Sequence, residues 1–253
     1  MPIKESIYLS QTYIEGTDCC GKDELANRLA AVTGENPTRH LVIDRDNPHE
    51  KILNELETSE EKLFAGIIIA RTIMHDIGFA ANGRLPTDSN IQVSLHALRA
   101  VAFETARGGD LTGIFQELLK YCPLFDLTIL LTASLECKRR RLANREETTG
   151  QSSEFDNLMF TKPDFVMAMD EVIFNQATDK FGAVVIDTDN MSLDEVFEKG
   201  KLLLENGYVE EPGVKRPIKG RLIQEPFHQG EKNYFNKELE RYSNFLKKKF
   251  IEE

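Results

Sequence analysis

The stretch YIEGTDCCGKDEL, residues 13 to 25, constrains this chain more than any other. A strand candidate runs through Glu15 into Gly16, four residues follow, then come Gly21 and Lys22, and a helical pattern begins. Strand, glycine turn and helix, in that order, are the context in which G-x-x-x-x-G-K-[ST] grips the phosphates of a nucleotide. Main-chain N–H groups of such a loop converge on the β-phosphate, and the helix adds the positive end of its dipole. Gly16, Thr17, Asp18, Cys19, Cys20, Gly21, Lys22 and Asp23 are therefore the candidate ATP-binding residues, with Lys22 reaching the β- and γ-phosphates. Asp23 stands where the pattern has the hydroxyl that holds magnesium. A carboxylate is a good hard-cation ligand, so Asp23 is the candidate Mg2+ residue. It also sets a negative charge beside the triphosphate, where it repels a nucleotide that arrives without its metal.

The rest of the chain alternates strands and helices. SIYLSQTYIEG leads into the loop, and from Lys22 to Val32 the apolar residues Leu25, Ala26, Leu29 and Val32 recur at helical spacing, with Gly34 placed to close the helix. RHLVID (39 to 44) reads as a strand, and the acidic stretch after it as a helix. LFAGIIIAR (63 to 71) has the unbroken apolar character of a strand buried on both faces. Helix candidates lie near 90 to 107 and 112 to 121. FDLTILLTAS (125 to 134) is a buried strand followed by the basic helix LECKRRRLANREE, and FGAVVIDTD (181 to 189) is a last strand followed by a helix that Gly207 stops. This alternation predicts an α/β fold of three layers, a parallel sheet with helices on both faces. From about residue 208 three prolines and no core-like strand predict an extended arm, followed by a terminal helix carrying Leu239, Tyr242, Phe245, Leu246 and Phe250. The expected organisation is a domain over 1–207 and a C-terminal arm and helix over 208–253.

Composition narrows the function classes. The formal charge of -11 argues against a nucleic-acid polymer as partner, because affinity for that backbone comes mainly from clustered Lys and Arg. No apolar run approaches the ~18 to 20 residues of a membrane helix, and the first residues lack the apolar core of a signal peptide, so a cytoplasmic protein is expected. Cys19, Cys20, Cys122 and Cys137 show no paired C-x-x-C spacing and read as reduced thiols, without zinc or disulfides. The five histidines form no metal spacing.

With these motifs placed, the chain resembles the thymidylate kinase family over roughly residues 7 to 205 and, more distantly, the deoxynucleoside kinases. IEGTDCCGKDEL is similar to the family's strand-end Glu-Gly with an Asp two places on, and the resemblance implies that Asp18 meets the sugar 3'-hydroxyl of the acceptor. IDRDNP resembles the segment whose arginine meets the acceptor phosphate, which implies Arg45. IIIARTIMHDIGFA is similar to the family's Asp-Arg-Tyr segment and implies Arg71, with Phe79 on a later aromatic position. The stretch from about 136 to 156 resembles a lid, with Arg140, Arg141 and Arg145 closing over the phosphates. Lys138 to Arg141 also read as a solvated helix face paired with Glu136 and Glu146.

Taken together, the resemblance implies a P-loop kinase fold, ATP and Mg2+ as cofactors, a small-molecule (deoxy)nucleoside monophosphate as acceptor, and a tendency to form a homodimer. Lys22, Arg71, Arg140, Arg141 and Arg145 are the catalytic set it implies. Ala70, Thr72 and Asp23 depart from the family's acidic, tyrosine and hydroxyl positions. Two alternatives stay open at this point: Asp23 or Asp44 takes over the lost acidic role, or the chain binds nucleotides without turning them over.

Overall fold

A computed structural model describes residues 12–35, 37–41, 91–109, 111, 113, 115–116, 125–150, 154–206, 208–211 and 214–217. Among these residues five parallel strands make one sheet: β1 Thr12–Glu15, β2 Thr38–Leu41, β3 Ile91–Leu95, β4 Leu127–Thr132 and β5 Val184–Asp187, in the order β2-β3-β1-β4-β5. The helices, in chain order, are α1 Lys22–Thr33, α2 His96–Ala106, α3 Leu135–Thr149, α4 Glu154–Thr161, α5 Pro163–Phe181 and α6 Leu193–Asn206. Strand β1 is central, with Tyr13 paired to Gln92 of β3 on one side and to Thr128 of β4 on the other. Ligand crevices in open parallel sheets lie beyond the carboxyl ends of the strands, and the loop after β1 begins at that edge.

Alternation along the strands sends side chains to two faces. Ile14, Ile91, Val93, Ile129, Leu131 and Ile186 point to one face and pack with Leu25, Ala26 and Leu29 of α1 and with Val196 and Leu204 of α6. Each fully buried Leu or Ile contributes about 1.5 to 3 kcal/mol. Helices α1 and α6 approach closely because Gly200 has no side chain: a Cβ there would stand 2.7 Å from Leu25 Cδ1. On the opposite face Tyr13 stacks on Phe125, with ring centroids 4.8 Å apart, and meets Phe181 of α5 edge-on at 5.3 Å. The sheet therefore carries helices on both faces, the three-layer α/β architecture expected from the alternation of its elements.

The helix after the loop follows its pattern, with Gly34 at φ 79 closing it through an N–H bond to the Ala30 carbonyl. Val32 departs from it: in the last turn it is exposed, and Ala30 is buried instead. The span 90–107 read as one helix divides into β3 and α2. Its first residues, Ile-Gln-Val-Ser-Leu, alternate apolar and polar groups, which is a strand period, and all five are buried. The strand expected at 63–71 lies outside the described residues. Helices α4 and α5 had no counterpart in the sequence reading, although Pro163 in the first turn and Gly182 at the C-cap bracket α5. At the start of the expected arm, Tyr208–Glu211 and Val214–Pro217 pair as an antiparallel two-stranded ribbon. The terminal helix lies outside the described residues.

The chain divides into two compact units. One holds the five-stranded sheet, α1, α3 to α6 and the ribbon; α2 belongs to the other, where Ala97, Leu98, Val101 and Ala102 are buried along one helical stripe. Among the described residues no helix is long and apolar enough to cross a membrane.

Candidate active site

The site begins with Glu15, the last residue of β1 and fully buried. Its carboxylate accepts from the Gly16 N–H at 2.9 Å, the Leu95 N–H at 3.0 Å, the Ser94 hydroxyl at 3.1 Å and the Tyr13 hydroxyl. A buried carboxylate is tolerable when its lone pairs are all used, and these donors use them. Glu15 thus fastens the first amide of the loop to the end of β3, where Ser94 adopts φ 58.

Gly16 at φ 152 is required sterically. A Cβ there would stand 2.6 Å from the Leu131 carbonyl oxygen and collide with Cys20 Sγ. Cys19 adopts φ 62 and Gly21 φ 96, so the chain curls through left-handed conformations before entering α1. Gly21 gives α1 no side-chain cap. Lys22 is buried and folds back across the loop, with Nζ 3.4 Å from the Thr17 carbonyl oxygen and 3.4 Å from Asp18 Oδ1. Asp23 is half-exposed, its Oδ2 3.9 Å from the same ammonium. Burial pushes the Cys20 and Cys19 thiols up, and the nearby Arg145 only partly opposes this at Cys19. Cys19, Cys20 and Cys137 are free thiols.

Helix α3 approaches the loop from the β4 edge. The Ser134 hydroxyl caps it by accepting from the Cys137 N–H at 3.2 Å, and Asp189 Oδ1 accepts from the Ser134 N–H at 2.6 Å. That hydrogen bond holds the Asp189 carboxyl below its usual range. Arg141 donates from Nη1 to the Cys19 carbonyl at 3.1 Å and to Thr188 Oγ1 at 2.9 Å, and from Nη2 to the Thr188 carbonyl at 2.6 Å. Thr188 is itself buried and bonds to Thr132 and to the Cys20 carbonyl, so the loop is stapled to the ends of β4 and β5. Arg145 Nη2 bonds Asp156 Oδ2 at 2.5 Å, which pushes the guanidinium pKa up. Arg140 is exposed, with Nη2 3.3 Å from Cys137 Sγ.

Of the expected site residues, the structure brings Gly16 to Asp23, Arg141 and Arg145 into one neighbourhood, and it leaves Arg140 on the outer face of α3. Arg45, Arg71 and Phe79, with Asp44, Ala70 and Thr72, lie outside the described residues.

Sequence reasoning missed four groups. Glu15 was readable as an acid at a strand end. Thr188 follows Asp187, the last residue of β5, and as a lone hydroxyl in a short turn it carries no signal in the sequence. The solvated-face reading of Lys138 is corrected: its side chain is 2 % exposed, with Nζ 2.5 Å from Thr17 Oγ1 and an ion pair to Asp170. Cys137, Lys138 and Leu142 form the buried stripe of α3, so Lys138 turns inward with its neighbours rather than outward with Arg140. Asp170 sits on α5. A cavity of ≈ 270 Å³ opens beside the loop, walled by Gly16, Thr17, Lys138, Asp170, Ile173 and Phe174 among others.

No family model matches the sequence, and no curated protein does. Among solved structures the chain is similar to thymidylate kinase from Candida albicans, at 17% identity and TM-score 0.50, covering 78% of this chain and 91% of that one. It is also similar to deoxyadenosine kinase from M. mycoides with bound dCTP, at 18% identity, TM-score 0.46 and coverage of 76% and 97%. Shikimate kinase from Acinetobacter baumannii matches at 14% identity, TM-score 0.43 and coverage of 80% and 96%. At such identities the likeness is one of architecture. The chain has the fold of the P-loop kinases.

Proposed function

We propose that this chain is an ATP-dependent phosphotransferase, a thymidylate kinase-like nucleoside monophosphate kinase that uses Mg2+ and acts on a small (deoxy)nucleotide. A cytoplasmic location and a homodimer belong to the same reading. The observation that carries it is the loop from Gly16 to Lys22, anchored by Glu15, curled ahead of α1 and crossed by a lysine whose Nζ lies 3.4 Å from the Thr17 carbonyl oxygen. Amides curled at a helix start, with a buried cation beside them, favour a polyphosphate.

In this reading Lys22 and the amides of residues 19 to 23 hold the donor phosphates. Asp23 is the residue that would hold magnesium: it is a hard oxygen donor at the loop mouth, with Asp18 on the other side of Lys22. That ion, when bound, supplies positive charge against the phosphate oxygens. Asp18, Arg45, Arg71 and Phe79 receive the acceptor, while Arg141 and Arg145, the lid arginines that stand beside the loop, neutralise charge on the moving group; Arg140, on the outer face of α3, takes no such part. Phosphoryl transfer draws mainly on alignment and electrostatic stabilisation, so fixed cations around a rigid loop suit it. A second reading, nucleotide binding without turnover, is favoured by Asp23 in the place of the hydroxyl ligand.

A coupled assay over nucleosides and nucleoside monophosphates, at varied magnesium, tests the proposal. Turnover on monophosphates is the expected result. Turnover on nucleosides alone would move the assignment to a deoxynucleoside kinase, and tight ATP binding with no turnover would establish the second reading. Asp23 also makes nucleotide binding metal-dependent. By calorimetry, Asp23→Ser is expected to bind metal-free ATP several-fold more tightly than the wild type; equal or weaker binding would remove Asp23 from the phosphate-facing side of the loop.

A further inference from the structure

We propose that Lys138 is a second phosphate-facing lysine, held in position by Asp170, and that it makes the site prefer a nucleoside triphosphate to a diphosphate. The inference deepens the nucleotide-binding reading above and rests on it. Two lysines from different elements converge on Thr17: Lys22 Nζ on its carbonyl oxygen at 3.4 Å, and Lys138 Nζ on its hydroxyl at 2.5 Å. The lysine of such a loop reaches the β- and γ-phosphates. Lys138 shares Thr17 with that ammonium, which puts its own charge beside the part of the loop that Lys22 crosses.

Burial sharpens the point. Lys138 is 2 % exposed, and taking an ammonium out of water is costly unless it is paired and hydrogen-bonded. Asp170 supplies the pair and Thr17 a second acceptor. An ammonium has three N–H donors, so one remains without a partner among the described residues, on a side chain that walls the cavity beside Gly16 and Thr17. The neighbouring arginines of α3 each bond a protein group in this structure: Arg141 the carbonyls of Cys19 and Thr188, Arg145 the Asp156 carboxylate, and Arg140 lies outward beside Cys137. Asp170 acts as a positioning residue, its Oδ2 on the lysine and its Oδ1 buried without a hydrogen-bond partner among the described residues.

The test is calorimetry with magnesium-ATP and magnesium-ADP as separate probes, on the full chain and on Lys138→Met, Lys138→Arg and the double variant Lys138→Gln with Asp170→Asn. Lys138→Met is expected to weaken ATP about tenfold or more and ADP by less than about twofold, the loss of one charge-assisted contact. Lys138→Arg should retain the preference for ATP. The double variant keeps the buried site neutral, so it supplies the same measurement if the single one fails to fold. Equal weakening of both nucleotides, or no change in either, would overturn the proposal while leaving the nucleotide reading intact. Wild-type protein that binds neither nucleotide would bring down that reading and this inference together.

Discussion

The glycine loop and helix α3 meet at the same site, yet they are built on different terms. In the loop, backbone geometry dictates residue type: Gly16 at φ 152 has no room for a Cβ, and Gly21 at φ 96 turns the chain into α1. In α3 the backbone is an ordinary helix, and four consecutive cations, Lys138 to Arg141, receive four different environments. Lys138 goes under the loop, Arg139 reaches the Met159 carbonyl and the Phe160 ring, Arg140 faces solvent, and Arg141 staples the loop carbonyls. The loop's role is written residue by residue, whereas the role of α3 depends on which face tertiary packing buries.

The largest effect is expected from breaking the backbone half of that contrast. Gly16→Ala must move the Leu131 carbonyl or Cys20, so nucleotide affinity should fall about a hundredfold or more, with about 2 to 4 kcal/mol of stability lost, as read by calorimetry and denaturant unfolding. Next is the anchor behind the loop. Glu15→Gln keeps the shape but turns an amide NH2 toward donors, and it should cost about 2 to 3 kcal/mol in urea unfolding while loosening nucleotide binding. A variant as stable as wild type would remove Glu15 from the list of fixed points.

The smallest effect belongs to the α3 side. The Asp189 carboxyl, held below its usual range by the Ser134 N–H, favours the folded state above the ordinary Asp value of about 3.9. That contribution is present at neutral pH and is lost as pH falls through the lowered folded value. In Asp189→Asn the acid limb of the stability profile should flatten slightly, by a fraction of a kcal/mol because the group is near solvent. An unchanged limb would show that the cap at Ser134 is independent of Asp189.

Legibility in the sequence follows the same division. The loop, α1 with its Gly34 stop, β4 and β5 were readable because glycines, apolar periods and caps act locally. Strand β3 was hidden beside α2, since five alternating residues lead into a helix without a glycine or proline between them. Lys138 was legible as a cation but not as a buried one. Its direction is set by Cys137 and Leu142 on the same stripe and by Asp170 on a helix 32 positions away in sequence. Glu15 needed β3 beside β1 before its role became visible, because two of its donors come from Ser94 and Leu95.

The bond from the Gly16 amide to the Glu15 carboxylate also bears on how this region breathes. Loop amides ordinarily trade their protons with water through small local openings. Here the release of one proton would require a carboxylate with three other donors to let go inside the sheet, so deuterium uptake at Gly16 should be as slow as in the strands beside it. The most firmly tied point of the glycine loop is thus its first peptide, and any freedom the loop has begins beyond that residue.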